Sequence, residues 1–183
     1  MFNFFRSKKG KQIHKATINI SINTEQTPDH FKQEKDIIVP FIYELLDKLN
    51  KIEEEAFKTN EEIKVYKDKN GLPIHQTIPQ EDDLWNVFKD KYKEQVNGVC
   101  SDDVLAQGFG ASFGNPPKYI AINIDHTIDF IMKSKHKARV EIKYHRGIDK
   151  RLRFDLKNES NKWQIIGVYY GFSNEMTWHK CGI

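Results

Sequence analysis

The residues best suited to catalysis or metal binding are scattered along this chain. Seven histidines are present, but they form neither HExxH nor HxH, and no Cys/His spacing matches a zinc site. His179 and Cys181 lie close together in the sequence, yet two ligands do not make a metal site. No GxSxG motif and no recognisable Ser/His/Asp order occurs. We therefore expect no metal, no cofactor and no catalytic residues.

Two further patterns could carry chemistry. The segment GFGASFG, residues 108–114, has the glycines of a phosphate-binding loop but neither the Rossmann nor the Walker spacing. Its glycines are better explained by a close passage of the chain across the core. Asp129 and Asp155 fall on the polar phase of predicted strands, so we expect them to face water. A general base with a raised pKa needs a desolvated cleft, which argues against both.

The composition is that of one ordinary domain. The chain has 183 residues, of which 38% are hydrophobic and 30% are charged, and its mean hydropathy is −0.68. No run approaches the roughly 20 apolar residues of a membrane span. The first eleven residues place the apolar part before the basic part, the reverse of a secretory signal. We expect a cytoplasmic protein whose two cysteines, Cys100 and Cys181, are free thiols.

Charge is distributed unevenly although the net charge is only +3. Residues 12–103 carry 12 basic and 19 acidic groups, whereas residues 104–183 carry 13 basic and 7 acidic groups. This polarity can orient a charged partner. It is not typical of nucleic-acid binding, because the basic residues of the second half alternate with acids such as Glu141 and Asp155.

The periodicity predicts an α+β fold, with helices first and a sheet after them. Residues 1–33 are predicted to be an N-terminal appendage, a short strand or a flexible arm, and residues 34–183 the domain. Apolar residues at helical spacing predict a helix from Ile38 to Phe57 and another from Glu81 to Val96. Between them, Asn70-Gly71 predicts the turn of a β-hairpin over residues 63–78.

Strict alternation predicts strands over residues 127–133, 137–145 and 151–157. The fourth strand, Trp163 to Phe172, breaks this pattern because apolar residues occupy both phases. Such a strand is either covered on its second side or offers an interaction surface.

This order of elements resembles the nuclear transport factor 2-like cone, in which helices pack on a curved antiparallel meander. The segment SFGNPPKY at residues 112–119, the strand sequence KWQI at residues 162–165 and the closing Trp178 resemble the nuclear transport factor 2 fold immunity proteins. That family belongs to bacterial polymorphic toxin systems, including Rhs-type toxins. The resemblance covers roughly residues 35–179. It implies a protein that neutralises a cognate toxin by binding it, without catalysis.

The resulting hypothesis is an immunity protein that blocks a toxin in the producing cell's cytoplasm. The acidic half of the chain would suit a basic toxin such as a nuclease. Arginine and aromatic residues are the usual anchors of protein interfaces. On that basis, the candidate partner-binding residues are Arg139, Glu141, Arg151, Arg153, Ile166, Tyr169, Tyr170 and Phe172.

Two other interpretations stay open. A small-molecule-binding protein, or an enzyme of the isomerase or dehydratase type, would use the cavity of the cone. It predicts an open pocket with a buried carboxylate or histidine. A scaffold subunit that forms a homodimer through the sheet is the third interpretation.

Overall fold

The computed structural model describes residues 17–183. The predicted α+β class is confirmed: two long helices pack on one face of a six-stranded mixed sheet that does not close into a barrel. The helices are α1 (Lys35–Lys69), α2 (Pro79–Val96) and α3 (Asp102–Leu105). The strands are β1 (Ile20–Asn23), β2 (His126–Ser134), β3 (Lys137–Arg146), β4 (Ile148–Glu159), β5 (Lys162–Phe172) and β6 (His179–Cys181).

The strands lie in the sheet in their chain order, from β1 to β6. Strand β1 runs parallel to β2, and every other neighbouring pair is antiparallel. The short strand predicted in the N-terminal segment is thus present in residues 20–23. Residues 1–16 of that segment lie outside the described residues. The predicted boundary between appendage and domain at residue 33 stays a prediction.

The core lies between the helices and the inner face of the sheet. Alternate residues of β2 to β4, such as Phe130, Ile142 and Phe154, are fully buried there. From the helices, Leu46 of α1 and Phe88 of α2 pack into the same hydrophobic cluster. The alternation read from the sequence therefore assigns the inner face correctly along these three strands.

Helix α1 is longer than predicted, at 35 residues or about 52 Å. It begins at Lys35, directly after a 3-10 helix at Asp29–Glu34, and continues through Pro40. A helix of this length packs its last turns against the start of α2. There the Lys67 ammonium lies 2.7 Å from a Glu81 carboxylate oxygen, and the other Glu81 oxygen accepts the Ile78 backbone N–H.

The predicted hairpin over residues 63–78 is wrong. Asn70-Gly71 ends a helix instead, because Gly71 takes a positive φ of 65°. The Leu72 N–H then reaches the Lys67 carbonyl at 2.9 Å and the Gly71 N–H reaches the Asp68 carbonyl at 3.1 Å. This pair of bonds is the Schellman motif of helix C-termini. A glycine with positive φ occurs both in β-hairpin turns and at helix C-termini. The Asn-Gly dipeptide alone therefore does not distinguish a hairpin from the end of a helix.

Ile120–Asn123 form a short 3-10 helix ahead of β2. Within residues 17–183, no helix is both long enough and apolar enough to cross a membrane.

Candidate functional site

Most of the candidate partner-binding residues come together on the outer face of the sheet, opposite the core. The strand register sets their arrangement: Glu141 of β3 lies opposite Arg153 of β4, which lies opposite Tyr169 of β5. The next row holds Lys143, Arg151 and Gly171. We call this region the outer sheet surface; it consists of Asp129, Arg139, Glu141, Lys143, Arg151, Arg153, Asp155, Tyr169 and Trp178.

Asp155 organises the ions of the outer sheet surface. The Arg139 Nε atom donates to one of its carboxylate oxygens at 2.8 Å, and Arg153 Nη2 lies 2.7 Å from the other. Burial alone would raise the pKa of Asp155, but the hydrogen bonds from Arg153 and Arg139 outweigh it and hold that pKa below its usual value. Both arginines are thereby fixed in place.

The expectation that Asp129 and Asp155 face water is wrong. Their side chains are only 14% and 20% exposed, because neighbouring long side chains cover them. The Lys143 ammonium lies 2.5 Å from Asp129. The neighbouring Glu141 is also 14% exposed, and its burial raises its pKa although Arg139 and Arg153 partly offset the effect. These carboxylates act as partners of cations rather than as free bases.

Two arginines stack on aromatic rings beside this ionic network. The guanidinium carbon of Arg151 lies 4.3 Å from the centroid of the Trp178 ring. The guanidinium carbon of Arg153 lies 4.7 Å from the Tyr169 centroid and 5.6 Å from that of Trp178. At these distances each cation is attracted to the negative face of a ring.

Arg151 differs from Arg153 in its hydrogen-bond partners. Its Nη2 atom donates to the backbone carbonyls of Glu175 and Thr177, the latter at 3.2 Å. Among residues 17–183, no carboxylate lies within ion-pair distance of it. Its positive charge is therefore not neutralised by a carboxylate within the described residues.

Two glycines of β5 allow these side chains to lie flat on the sheet. A Cβ atom at Gly167 would lie 2.8 Å from the Tyr169 ring. At Gly171 it would lie 2.9 Å from Arg151 Nε. Larger residues at either position would displace the aromatic or cationic group above it.

Comparison with protein-family models, curated proteins and solved structures found no match. The resemblance to immunity proteins therefore stays a prediction, and the function has to be argued from the geometry.

Sequence reasoning missed Trp178 as a site residue. In the sequence, Trp178 entered only through the resemblance to immunity proteins, at the end of the mostly polar segment SNEMTW, residues 173–178. The alternation rule assigns strand residues to faces, but it says nothing about a loop residue that folds back onto a strand.

Strand β5 is apolar on both phases because it contains a β-bulge. Asp155 lies opposite Gly167 and Leu156 opposite Ile165, so Ile166 is the extra residue. The bulge shifts the phase of the strand, and both Ile165 and Val168 point into the core. Part of the supposed second apolar face is thus core.

The bulge separates the four aromatic and aliphatic candidates of β5. Ile166 lines a shallow depression of about 420 Å³ together with Arg139 and Asp155. Tyr169 lies on the outer sheet surface, as described. Tyr170 and Phe172 lie opposite Leu152 and Lys150, on the inner phase of the sheet. Tyr170 is 42% exposed there, and its ring stacks on His179 of β6.

An open cleft lies at the other end of the sheet, around His126. It has a volume of about 520 Å³ and is lined by residues that include Tyr144, His145 and Asp149. His126 itself is 5% exposed. Its Nδ1 atom donates to the Ile124 carbonyl at 2.7 Å, and its Nε2 atom is hydrogen-bonded to the Tyr43 hydroxyl. Both ring nitrogens are therefore hydrogen-bonded: Nδ1 is a donor, and Nε2 accepts from the Tyr43 O–H.

A buried carboxylate is present as well, at Glu53 of α1, which is 2% exposed. One of its oxygens accepts the Lys118 backbone N–H at 2.8 Å, and the other has no hydrogen-bond partner. Burial raises the pKa of Glu53, and the Lys118 N–H partly offsets that effect. Within residues 17–183, His, Cys, Asp and Glu form no group that could hold a metal ion.

Proposed function

We propose that this chain is an immunity protein that binds a cognate bacterial toxin in the producing cell and blocks it without catalysis. The observation that carries the proposal is the stacking of Arg151 and Arg153 on Trp178 and Tyr169 on the outer sheet surface. Tryptophan, tyrosine and arginine dominate the energetic centres of protein interfaces. Here they are partly exposed, fixed in position and adjacent.

Preorganisation supports the same conclusion. Binding is weakened by the entropy lost when flexible side chains become ordered. Arg153 is already held by Asp155, and Arg151 by two backbone carbonyls. A partner that contacts them loses little further side-chain entropy, so this surface is suited to tight binding.

The resemblance in residues 112–119, 162–165 and 178 adds the particular class, a nuclear transport factor 2-like immunity protein. In that interpretation, the open sheet packed on α1 and α2 is the cone of the family. The unneutralised charge of Arg151 predicts that the toxin presents an acidic group to this surface. The acidic helical layer suits a toxin whose remaining surface is basic, as in a nuclease.

Co-expression with the toxin encoded beside it tests the proposal. The wild-type chain should restore growth and co-purify with the toxin. Arg151→Glu should reduce affinity by about 100-fold or more, because it puts a negative charge opposite an acidic partner. The matched control is Lys58→Glu, the same charge reversal at an exposed position of α1. Absence of both rescue and complex would show that the proposal is wrong.

A second candidate, a small-molecule-binding protein or an isomerase-like or dehydratase-like enzyme, has one observation in its favour. The cleft at His126 has room for a small ligand and is lined by several polar groups. In this cleft His126 contacts the Tyr43 hydroxyl through Nε2, so a ligand would meet His126 with both ring nitrogens already hydrogen-bonded. A metabolite screen by ligand-observed NMR, repeated with Tyr144→Ala, tests it. A hit that the variant loses would favour this candidate.

A further inference from the structure

Among residues 17–183, strand β1 is an open edge of the sheet, and its sequence is unusual for an edge. Residues Thr17–Thr24, TINISINT, contain no charged residue and no proline. Isoleucines at positions 18, 20 and 22 alternate with polar residues and are 39%, 47% and 40% exposed. Proteins usually protect an edge strand with charge, proline, a bulge or a covering segment. The sequence of β1 provides none of the first three.

The opposite edge of the same sheet is protected in several ways. Strand β6 is only three residues long, and the exposed Lys180 lies at its centre. After it, the Gly182 carbonyl accepts a hydrogen bond from Lys118 Nζ at 2.9 Å, and Ile183 is buried. Both edge strands are short, but β6 carries a charged residue and an anchored C-terminus, whereas the four residues of β1 carry no charge.

The hydrogen bonds of β1 show which of its backbone groups face β2 and which face the open edge. The Asn19 carbonyl accepts the His126 N–H at 3.1 Å, so the backbone N–H and C=O groups of Asn19 point toward β2. Because these groups alternate in direction along a strand, those of Ser21 and Asn23 also point toward β2. The N–H and C=O groups of Ile20 and Ile22 consequently point away from the sheet. Ile20, the most exposed of the three isoleucines, therefore also carries backbone groups that have no partner within residues 17–183.

The sequence of β1 is also complementary to a second copy of itself in antiparallel pairing. Residues 19–23 read Asn-Ile-Ser-Ile-Asn in either direction. In an antiparallel pair of two such strands centred on Ser21, Ile20 of each copy lies opposite Ile22 of the other. These are the residues whose backbone groups point outward, so each pair exchanges two hydrogen bonds. Their side chains stand on the same face and bury one another.

We propose that β1 pairs with β1 of a second copy of this chain, antiparallel about a two-fold axis through Ser21. The two sheets then form one continuous sheet across the dimer. A two-fold interface needs a self-complementary surface, which a palindromic, uncharged strand supplies. This proposal does not depend on toxin binding, because the outer sheet surface around Arg151 is several strands away.

Sedimentation equilibrium of the full chain tests the proposal. We expect the wild type to reach twice the monomer mass of 21.6 kDa with a dissociation constant of micromolar order. Ile20→Lys should weaken the dimer by about 100-fold or more, because it places two charges in the seam. Ile37→Lys, the same change at an exposed position of α1, is the matched control and should leave the dimer intact.

A cross-link tests the register. Ser21 of each copy would form a non-hydrogen-bonded pair across the axis, with Cα atoms about 4.5 Å apart, within reach of a disulfide. Ser21→Cys should therefore give a covalent dimer on mild oxidation. The wild type, which has the same native cysteines, and Thr127→Cys on the neighbouring strand should not.

Two results would overturn the proposal. One is a protein that stays monomeric at concentrations up to about 200 µM. In that case a second copy does not pair with β1, even if another segment or another protein covers this edge. The other is a dimer that Ile20→Lys does not weaken and that Ser21→Cys does not trap, since it would use a different surface.

Discussion

The two faces of the sheet are made by the same strands, yet they do different things. On β4, Phe154 is fully buried against the helices, while its neighbours Arg153 and Asp155 lie on the outer sheet surface in an ionic network. A shift of one residue changes the environment from the core to the outer sheet surface. Stability and the proposed binding can therefore be altered almost independently, position by position, along one strand.

The largest expected effect lies on the inner face. Phe154→Ala removes a fully buried aromatic side chain at the centre of the sheet and leaves a cavity. We expect a loss of about 3–5 kcal/mol in the free energy of unfolding. Urea denaturation followed by tryptophan fluorescence measures it. Asp149→Ala, at the exposed start of the same strand, should cost less than about 0.5 kcal/mol. Equal losses in both variants would contradict the division into two faces.

An intermediate effect is expected on the outer sheet surface, at Asp155. Asp155→Asn removes the carboxylate shared by Arg139 and Arg153, which we expect to cost about 1–2 kcal/mol at pH 7. Because the pKa of Asp155 is lowered on folding, its contribution is complete above the unfolded value near 3.9. It is lost as the pH falls through the lower folded value.

The measurement is the difference in unfolding free energy between wild type and Asp155→Asn as a function of pH. It should be constant from pH 7 to about pH 5 and should shrink below about pH 4. Asp149→Asn provides a control, since its carboxylate is exposed and pairs only with His145 in the described residues. A difference at Asp155 that does not change with pH would mean that the cost is steric rather than electrostatic.

The sequence predicts the sheet better than the connections, for a physical reason. Along β2 to β4, every second side chain enters the core, so a local alternation reports a global arrangement. At Asn70-Gly71, the decisive fact is which element precedes the turn. Ile63 and Val65 fit a strand, but Ala56, Ile63 and Lys67 continue the helical stripe that packs on α2.

The candidate site was only half predictable for a similar reason. The outward phase of Arg139, Glu141, Arg151 and Arg153 follows from alternation alone. The bulge at Ile166 does not, because it depends on the neighbouring strand, and it moves Val168 and Tyr170 to the inner phase. Trp178 reaches the surface through a loop, and such long-range packing has no periodic signal.

The smallest expected effect concerns a polar group of the core, on the helix side. Glu53 of α1 is buried with one oxygen unpaired, and its pKa is raised by that burial. Glu53→Gln keeps an acceptor for the Lys118 N–H and removes the buried charge. We expect the variant to be about 0.5–1 kcal/mol more stable than wild type at pH 7.

The pH dependence gives Glu53 the opposite sign from Asp155. A raised folded pKa means that the native state binds the proton more tightly, so wild type gains stability as the pH falls through that value. The advantage of Glu53→Gln should therefore shrink toward acid and vanish below the unfolded pKa of about 4.3. Glu53→Ala, which leaves the Lys118 N–H without an acceptor, should instead cost about 1–3 kcal/mol. If Glu53→Gln were destabilising at every pH, the ionised carboxylate would contribute to the stability of the core. The core would then depend on a charge, as the outer sheet surface does.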